Sequence, residues 1–564
     1  MRQVIAIGVD AGSIGLIEEL TAAGSLPRLA ALRSRSVHVP LRSDPTHRHG
    51  VLWPQFVAGA EARLGGDWLR FTIDPATYEA YQTGARHTID GHAPFWEPTG
   101  ARVVTLDVPG TTVLGPGVHV TAWGASAPLH ARASQPAGLL RDLDGRFGVH
   151  PGFGNEYDCG WHDPQRLDQL TRALEVGAHR RAEIAIELMG GADWDLFFTV
   201  MSESHSASEV MWHAVADDHP LADFDPGARA RLERVFGAID GAIGRIVDHA
   251  PTDAAIVVFS LDGMRSSHGD LPSIVLLPEL MHRLAFGTPM LRDQDTDAWR
   301  RAGCPPVVPP GHRLWRHDVD AHLVDPPPRP WTHAVPGYQA ARRTAVGRRV
   351  LGRIKGVQLG ALGVPIPPES AASPAELDGG RDPLDGELFI GNYQPYRHAM
   401  RAFALPTFGD AYVRINLAGR DAGGIVPIDE FEDECEAVER MIRSCRDVRT
   451  GEPVADRIER VAPDDPLALT DDRYGDVFVE WSRPIDAFEH PDVGVIGPLP
   501  FNRTGAHHER GFAWVSGRGI APATVDEHAV LDLPPTIVRL LADDAPLPPA
   551  GAPITQVLGT RTAP

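Results

Sequence analysis

Three short apolar runs, far apart in the chain, each stop at polar side chains able to bind a metal. Val4-Ile5-Ala6-Ile7-Gly8-Val9 runs into Asp10. Leu196-Phe197-Phe198-Thr199-Val200-Met201 runs into Ser202, Glu203, Ser204 and His205, with Glu209 four residues further on. Ala255-Ile256-Val257-Val258-Phe259 runs into Ser260, Leu261 and Asp262. Continuous runs of this length, rich in β-branched residues, predict strands buried on both faces of a parallel sheet. Ligands of open α/β sheets bind beyond the carboxyl ends of the strands. The pattern therefore predicts one site containing Asp10, His205, Glu209 and Asp262. His205 and Glu209 are four apart and share a face if that stretch is helical.

Between the runs the period changes. Apolar residues recur at helical spacing from Leu167 to Leu188 and from Arg229 to Val247, the texture of βαβ units. The predicted class is α/β, a mostly parallel central sheet with helices on both faces. From about Ala298 the texture breaks at Pro305-Pro306, Pro309-Pro310, Pro326-Pro327-Pro328, Pro365 and Pro367-Pro368. Such a stretch cannot hold long regular elements. Residues 1–297 are expected to be the first part of the α/β core. Residues 298–402 are expected to form a Pro-rich insertion or cap with a short basic helix near Arg342 to Arg353. Residues 403–564 are expected to complete the core. Val438 to Arg446 and Thr536 to Leu541 read as helices, and Val477 to Trp481 as a strand.

Composition narrows the function. The chain has 564 residues, enough for one large core or two, with 43% hydrophobic and 23% charged residues. The net charge of -22 argues against a nucleic-acid backbone as partner, because that needs a basic footprint. A small-molecule substrate remains, phosphates included, since bound cations invert the local field. Cys159, Cys304, Cys435 and Cys445 form no C-x-x-C pair and are too few for a disulfide framework. The sequence shows no signal peptide and no membrane span, so a cytoplasmic protein is expected.

Several blocks together resemble a known family. They are Val4 to Asp10 with Leu26-Pro27-Arg28-Leu29, then Phe95-Trp96 with Val103 to Gly110. Glu203-Ser204-His205 through Trp212-His213 follows, then Phe259-Ser260 with Gly263-Met264. Arg414 to Arg420 and Gly423 to Val426 come next, and Gly505-Ala506-His507, Gly511 and Asp532 to Thr536 close the set. In this order, over nearly the whole chain, they resemble the type I phosphodiesterase/nucleotide pyrophosphatase branch of the alkaline phosphatase superfamily. The resemblance implies that superfamily's fold, two metals, and a Thr or Ser nucleophile before a Trp.

The resemblance also marks departures. Counting back from Trp53, with Pro54 and Gly59 in place, His49 falls at the nucleophile position. Thr46 lies three residues earlier and serves only if the loop differs. The family's Asp-His pair is Leu261-Asp262 here. His205 and Glu209 stand at two ligand positions, and His507 matches the last ligand. The resemblance thus implies one metal site of His205, Glu209 and His507, with Asp10, Asp262 and His49 left for the other. Arg48, read by itself, is either a partner for an anionic group or a solvated loop residue. One divalent ion per chain, zinc, manganese or iron, suits these donors. The expected activity is metal-dependent hydrolysis of a small phosphate ester or related ester. Two alternatives stay open: a single-metal enzyme of specialised metabolism, for which two His and one carboxylate suit non-haem iron, or a non-catalytic descendant.

Overall fold

The computed structural model describes residues 1–43, 52–61, 71–83, 92–109, 111, 116–124, 131–153, 160–309, 315–326, 346, 350, 358–359, 365–370, 381–383, 389–461, 465–468 and 475–558. Thr46, Arg48 and His49 lie outside them, as does nearly all of the basic stretch from Arg342 to Arg353.

The three apolar runs are strands. In chain order the central sheet takes β1 (Val4–Val9), β2 (Val37–Arg42), β3 (Val103–Leu106), β4 (Val118–Thr121), β5 (Ala133–Gln135), β6 (Leu196–Met201) and β7 (Ala255–Ser260). After a short strand β8 (Gly263–Ser266), a second sheet takes β9 (Ala402–Ala404), β10 (Ala411–Ile415), β11 (Ala455–Arg460) and β12 (Val477–Trp481). Next come β13 (Gly505–His508), β14 (Arg510–Ser516), β15 (Ala523–Thr524) and β16 (His528–Ala529). Among the described residues the central sheet has ten strands, in the order β15-β2-β14-β7-β1-β6-β3-β4-β5, with β16 also on β2. Pairing is parallel from β7 across β1, β6 and β3 to β4, and antiparallel where β14 joins β2 and β7 and where β5 joins β4.

Strand β1 explains why the runs are apolar throughout. Ile5, Ile7 and Val9 face one core, and Val4 and Ala6 face the other. The first core is covered by α1 (Ile14–Ala22), α2 (Pro27–Ser34), α4 (Pro164–Gly191), α5 (Glu203–Met211) and α6 (Ala228–Asp248). The second is covered by α3 (Leu52–Ala58) and α8 (Leu533–Leu541). Helix α4 begins where Asp163 accepts a hydrogen bond from the backbone N–H of Gln165 and Pro164 takes the first turn, which has no use for its missing N–H.

Residues 402–481 do not extend the central sheet. They form the four-stranded antiparallel sheet β9-β10-β12-β11 over a separate core, and the chain rejoins the central sheet only at Arg510. The helix expected from Val438 starts earlier, as α7 (Phe431–Ser444). Phe431, Cys435, Val438 and Ile442 line its buried stripe, and three acidic residues fill its first turn, where the helix dipole favours them.

Candidate active site

Strands β6, β1 and β7 are parallel neighbours in the middle of the sheet, with Val9 opposite Met201 and Gly8 opposite Phe259. Their carboxyl ends therefore deliver Asp10, the start of α5 and the Leu261-Asp262 turn to one edge. Hydroxyl groups fasten these ends together. Ser260 Oγ donates to Val9 O at 2.6 Å and accepts from the Gly12 N–H at 2.9 Å. Ser204 Oγ donates to Asp10 O at 2.7 Å. His507 arrives on β13, which runs antiparallel to β8 with His507 opposite Met264.

Asp10, His205, Glu209, Asp262 and His507 meet there as one cluster. His205 sits between two carboxylates, with Nδ1 3.4 Å from Asp10 Oδ2 and Nε2 3.2 Å from Glu209 Oε1. The rings of His205 and His507 lie 4.8 Å apart, centroid to centroid. His507 Nδ1 is 2.6 Å from Asp262 Oδ2. His507 is the most open of the five, at 30% side-chain exposure. Burial by itself would lower the His205 pKa, but Glu209 and Asp10 raise it well above the usual imidazole value. His205, with His507 and Trp53, holds Asp10 below the usual carboxylate range although burial pushes it up. Glu209 is lowered by His205 and Arg503 against its own burial.

Three groups that the sequence did not single out complete the centre. The Trp53 Nε1–H donates to Asp10 Oδ1 at 2.7 Å. Arg503 Nη1 contacts Glu209 Oε1, and Arg503 Nε is 2.6 Å from Asp270 Oδ2. In the sequence Trp53 serves only as the mark from which His49 is counted. Arg503 stands four residues before His507 and carries no motif. Glu203, inside a quoted block, turns away from the cluster: it is fully buried against Arg181 and His150. Leu261, at a ligand position of the resembled family, packs into the apolar core on the α3 side of the sheet.

No family model matches the chain, and no curated protein matches it. It is similar over nearly its whole length to several solved structures. One is a phosphonoacetate hydrolase from Sinorhizobium meliloti in complex with phosphonoformate, at 13% identity and TM-score 0.43, covering 96% of each chain. Another is a murine ectonucleotide pyrophosphatase/phosphodiesterase, at 10% identity and TM-score 0.47, covering 99% of each chain. A third is the alkaline phosphatase PafA, with the same identity of 10%, coverage of 99% and TM-score of 0.47.

The family resemblance implies metal, so the fit matters. The donor types are right: two imidazoles and three carboxylates in one cluster. Their arrangement is not. Among the described residues no group of three or more His, Cys, Asp or Glu side chains is placed to hold an ion. Each carboxylate already faces a partner: Asp10 has Trp53 and His205, Glu209 has His205 and Arg503, and Asp262 has His507. As they stand, these residues form a charge-compensated cluster, not a coordination sphere.

Proposed function

We propose that this chain hydrolyses a small phosphate ester or related ester at the carboxyl edge of its central sheet. The observation that carries the reading is the meeting of Asp10, His205, Glu209, Asp262 and His507 at one point where three parallel strands end. Asp262 against Nδ1 orients the His507 ring and leaves Nε2 to exchange a proton. In hydrolysis, water attacks the phosphorus or acyl carbon, its proton passes to His507 Nε2, and the ester oxygen leaves and takes that proton back. The strongly acidic chain supports a small-molecule substrate over a nucleic acid.

The test is a kinetic panel of aryl phosphate mono- and diesters, phosphonates and carboxylic esters, run on the purified chain and on His507→Ala. Turnover lost in the variant supports the reading. No turnover on any class, or turnover untouched in His507→Ala, ends it.

The donor types favour a second reading: one divalent ion per chain, zinc, manganese or iron, taken up by His205, Glu209 and His507 after rearrangement. Elemental analysis after growth with each metal separates the two. One stoichiometric ion, lost in His205→Ala, supports the second reading, and none supports the first.

A further inference from the structure

Glu209 is engaged twice on one oxygen. Its Oε1 lies 3.2 Å from His205 Nε2 and also contacts Arg503 Nη1. Arg503 is held from its other side by a fork: Nε reaches Asp270 Oδ2 at 2.6 Å, and Nη2 reaches Oδ1 at 3.1 Å. Asn502 Nδ2 adds a hydrogen bond to Asp270 Oδ2 at 3.2 Å, and the Thr504 N–H donates to Glu209 O at 2.7 Å. The segment 502–504 is thereby pinned to the Asp270 carboxylate and to both the carboxylate and the backbone carbonyl of Glu209. Glu209 and Asp270 are buried, and the Arg503 side chain is only 13% exposed.

A divalent ion bound through Glu209 Oε1 would displace Arg503 from that oxygen, and one bound through Oε2 of the same carboxylate would still sit close to the guanidinium. Either way a guanidinium stands beside a dication in a site with little water to screen them. Like charges side by side in such surroundings repel strongly. The planar fork on Asp270 also stops the guanidinium from swinging away cheaply, as a single flexible ammonium would. We infer that Arg503 is the resident cation of this centre and bars a divalent ion from Glu209. The inference opposes the second reading above and shares with the first only the location of the site. Its test reads ion affinity without substrate, so the two fail separately.

The experiment titrates the full-length, chelator-stripped protein with zinc chloride, by calorimetry and by competition with a fluorescent chelator. Arg503→Met should bind zinc about tenfold or more tighter than the native chain, since it frees a ligand oxygen. Adding Glu209→Gln to that variant should remove the gain. Native affinity or weaker in Arg503→Met overturns the inference. If thermal melting shows that Arg503→Met does not fold, Glu209→Gln alone decides. With Glu209 barred from the ion, this change should leave zinc affinity within about twofold, whereas a loss of about tenfold or more, as for a true ligand or its support, overturns the inference.

Discussion

His507 and Asp262 meet at 2.6 Å, Nδ1 to Oδ2, although 245 positions separate them in the sequence. The β8–β13 ribbon makes the meeting possible by setting His507 opposite Met264, two residues past Asp262. If Asp262 fixes the ring for proton transfer, Asp262→Asn should lower kcat by about 10²-fold or more, with KM little changed. Steady-state kinetics on the best ester of the panel check this. A variant that shifts KM alone would reduce Asp262 to a substrate contact.

A second expectation concerns Trp53 and Gly8. The indole donates to Asp10, and its ring lies so close over β1 that a Cβ on Gly8 would come within 2.8 Å of Trp53 Cη2. Gly8→Ala should therefore destabilise by about 1–3 kcal/mol through overpacking. Trp53→Phe should cost about 1–3 kcal/mol by leaving Asp10 Oδ1 short of a donor. Both are read from urea midpoints. Trp53→Phe should also weaken turnover, because Asp10 then loses its fixed orientation against His205.

Much of this centre is legible in the sequence, and the reason is physical. A strand buried on both faces is apolar nearly throughout, so the polar residues just after it mark the sheet edge. Asp10 directly follows such a run, His205 and Asp262 stand a few residues past theirs, and the 3.6-residue period marks α4 and α6. Strand order leaves no such local mark. Nor did the sequence show that residues 402–481 pair among themselves, since an antiparallel strand such as Val477–Trp481 reads the same in either sheet. Arg503 was invisible for another reason. Its partners Glu209 and Asp270 are 294 and 233 positions away, and a lone arginine in a loop looks like any solvated one.

Beneath the site lies a second charged cluster whose function is support. Arg181, fully buried, donates to Asp107 Oδ2 at 2.9 Å, Glu203 Oε1 at 3.0 Å and Ser202 Oγ at 3.0 Å. Burial would raise the Glu203 carboxyl, but Arg181 and His150 hold it down to about 2. Glu203 and Ser202 lead directly into His205. Arg181→Met strands two carboxylates and should destabilise by about 3–5 kcal/mol. Gly177→Ala is a gentler probe of the same network, since its Cβ would fall 1.9 Å from His150 Nε2 and push that ring off Glu203. Chemical denaturation measures both, and a Gly177→Ala chain as stable as the native one would show that His150 gives way freely.

The last prediction is a pH dependence set by histidines outside the centre. His213 and His219 are buried, with ring centroids 6.3 Å apart. Burial lowers His213 to about 4, with Asp225 opposing, and burial together with His213 lowers His219 to about 3. His119 is likewise lowered by burial, to about 4. An unfolded histidine takes its proton near 6.5, so between that pH and about 4 the unfolded chain binds protons that the folded chain refuses. Stability should hold above 6.5 and fall as pH drops through this window. Glu203 cannot cause the loss, because its contribution is complete above its unfolded value of 4.5 and disappears only as pH falls toward 2. His205 has the opposite sign: its raised pKa gives stability that is full below 6.5 and lost as pH rises through its folded value. Urea unfolding at several pH values between 7 and 4.5 should therefore show a falling midpoint. His213→Gln should make the slope shallower by up to about 1.4 kcal/mol per pH unit, the effect of one proton. An unchanged slope in that variant would mean that His213 is protonated in the folded chain.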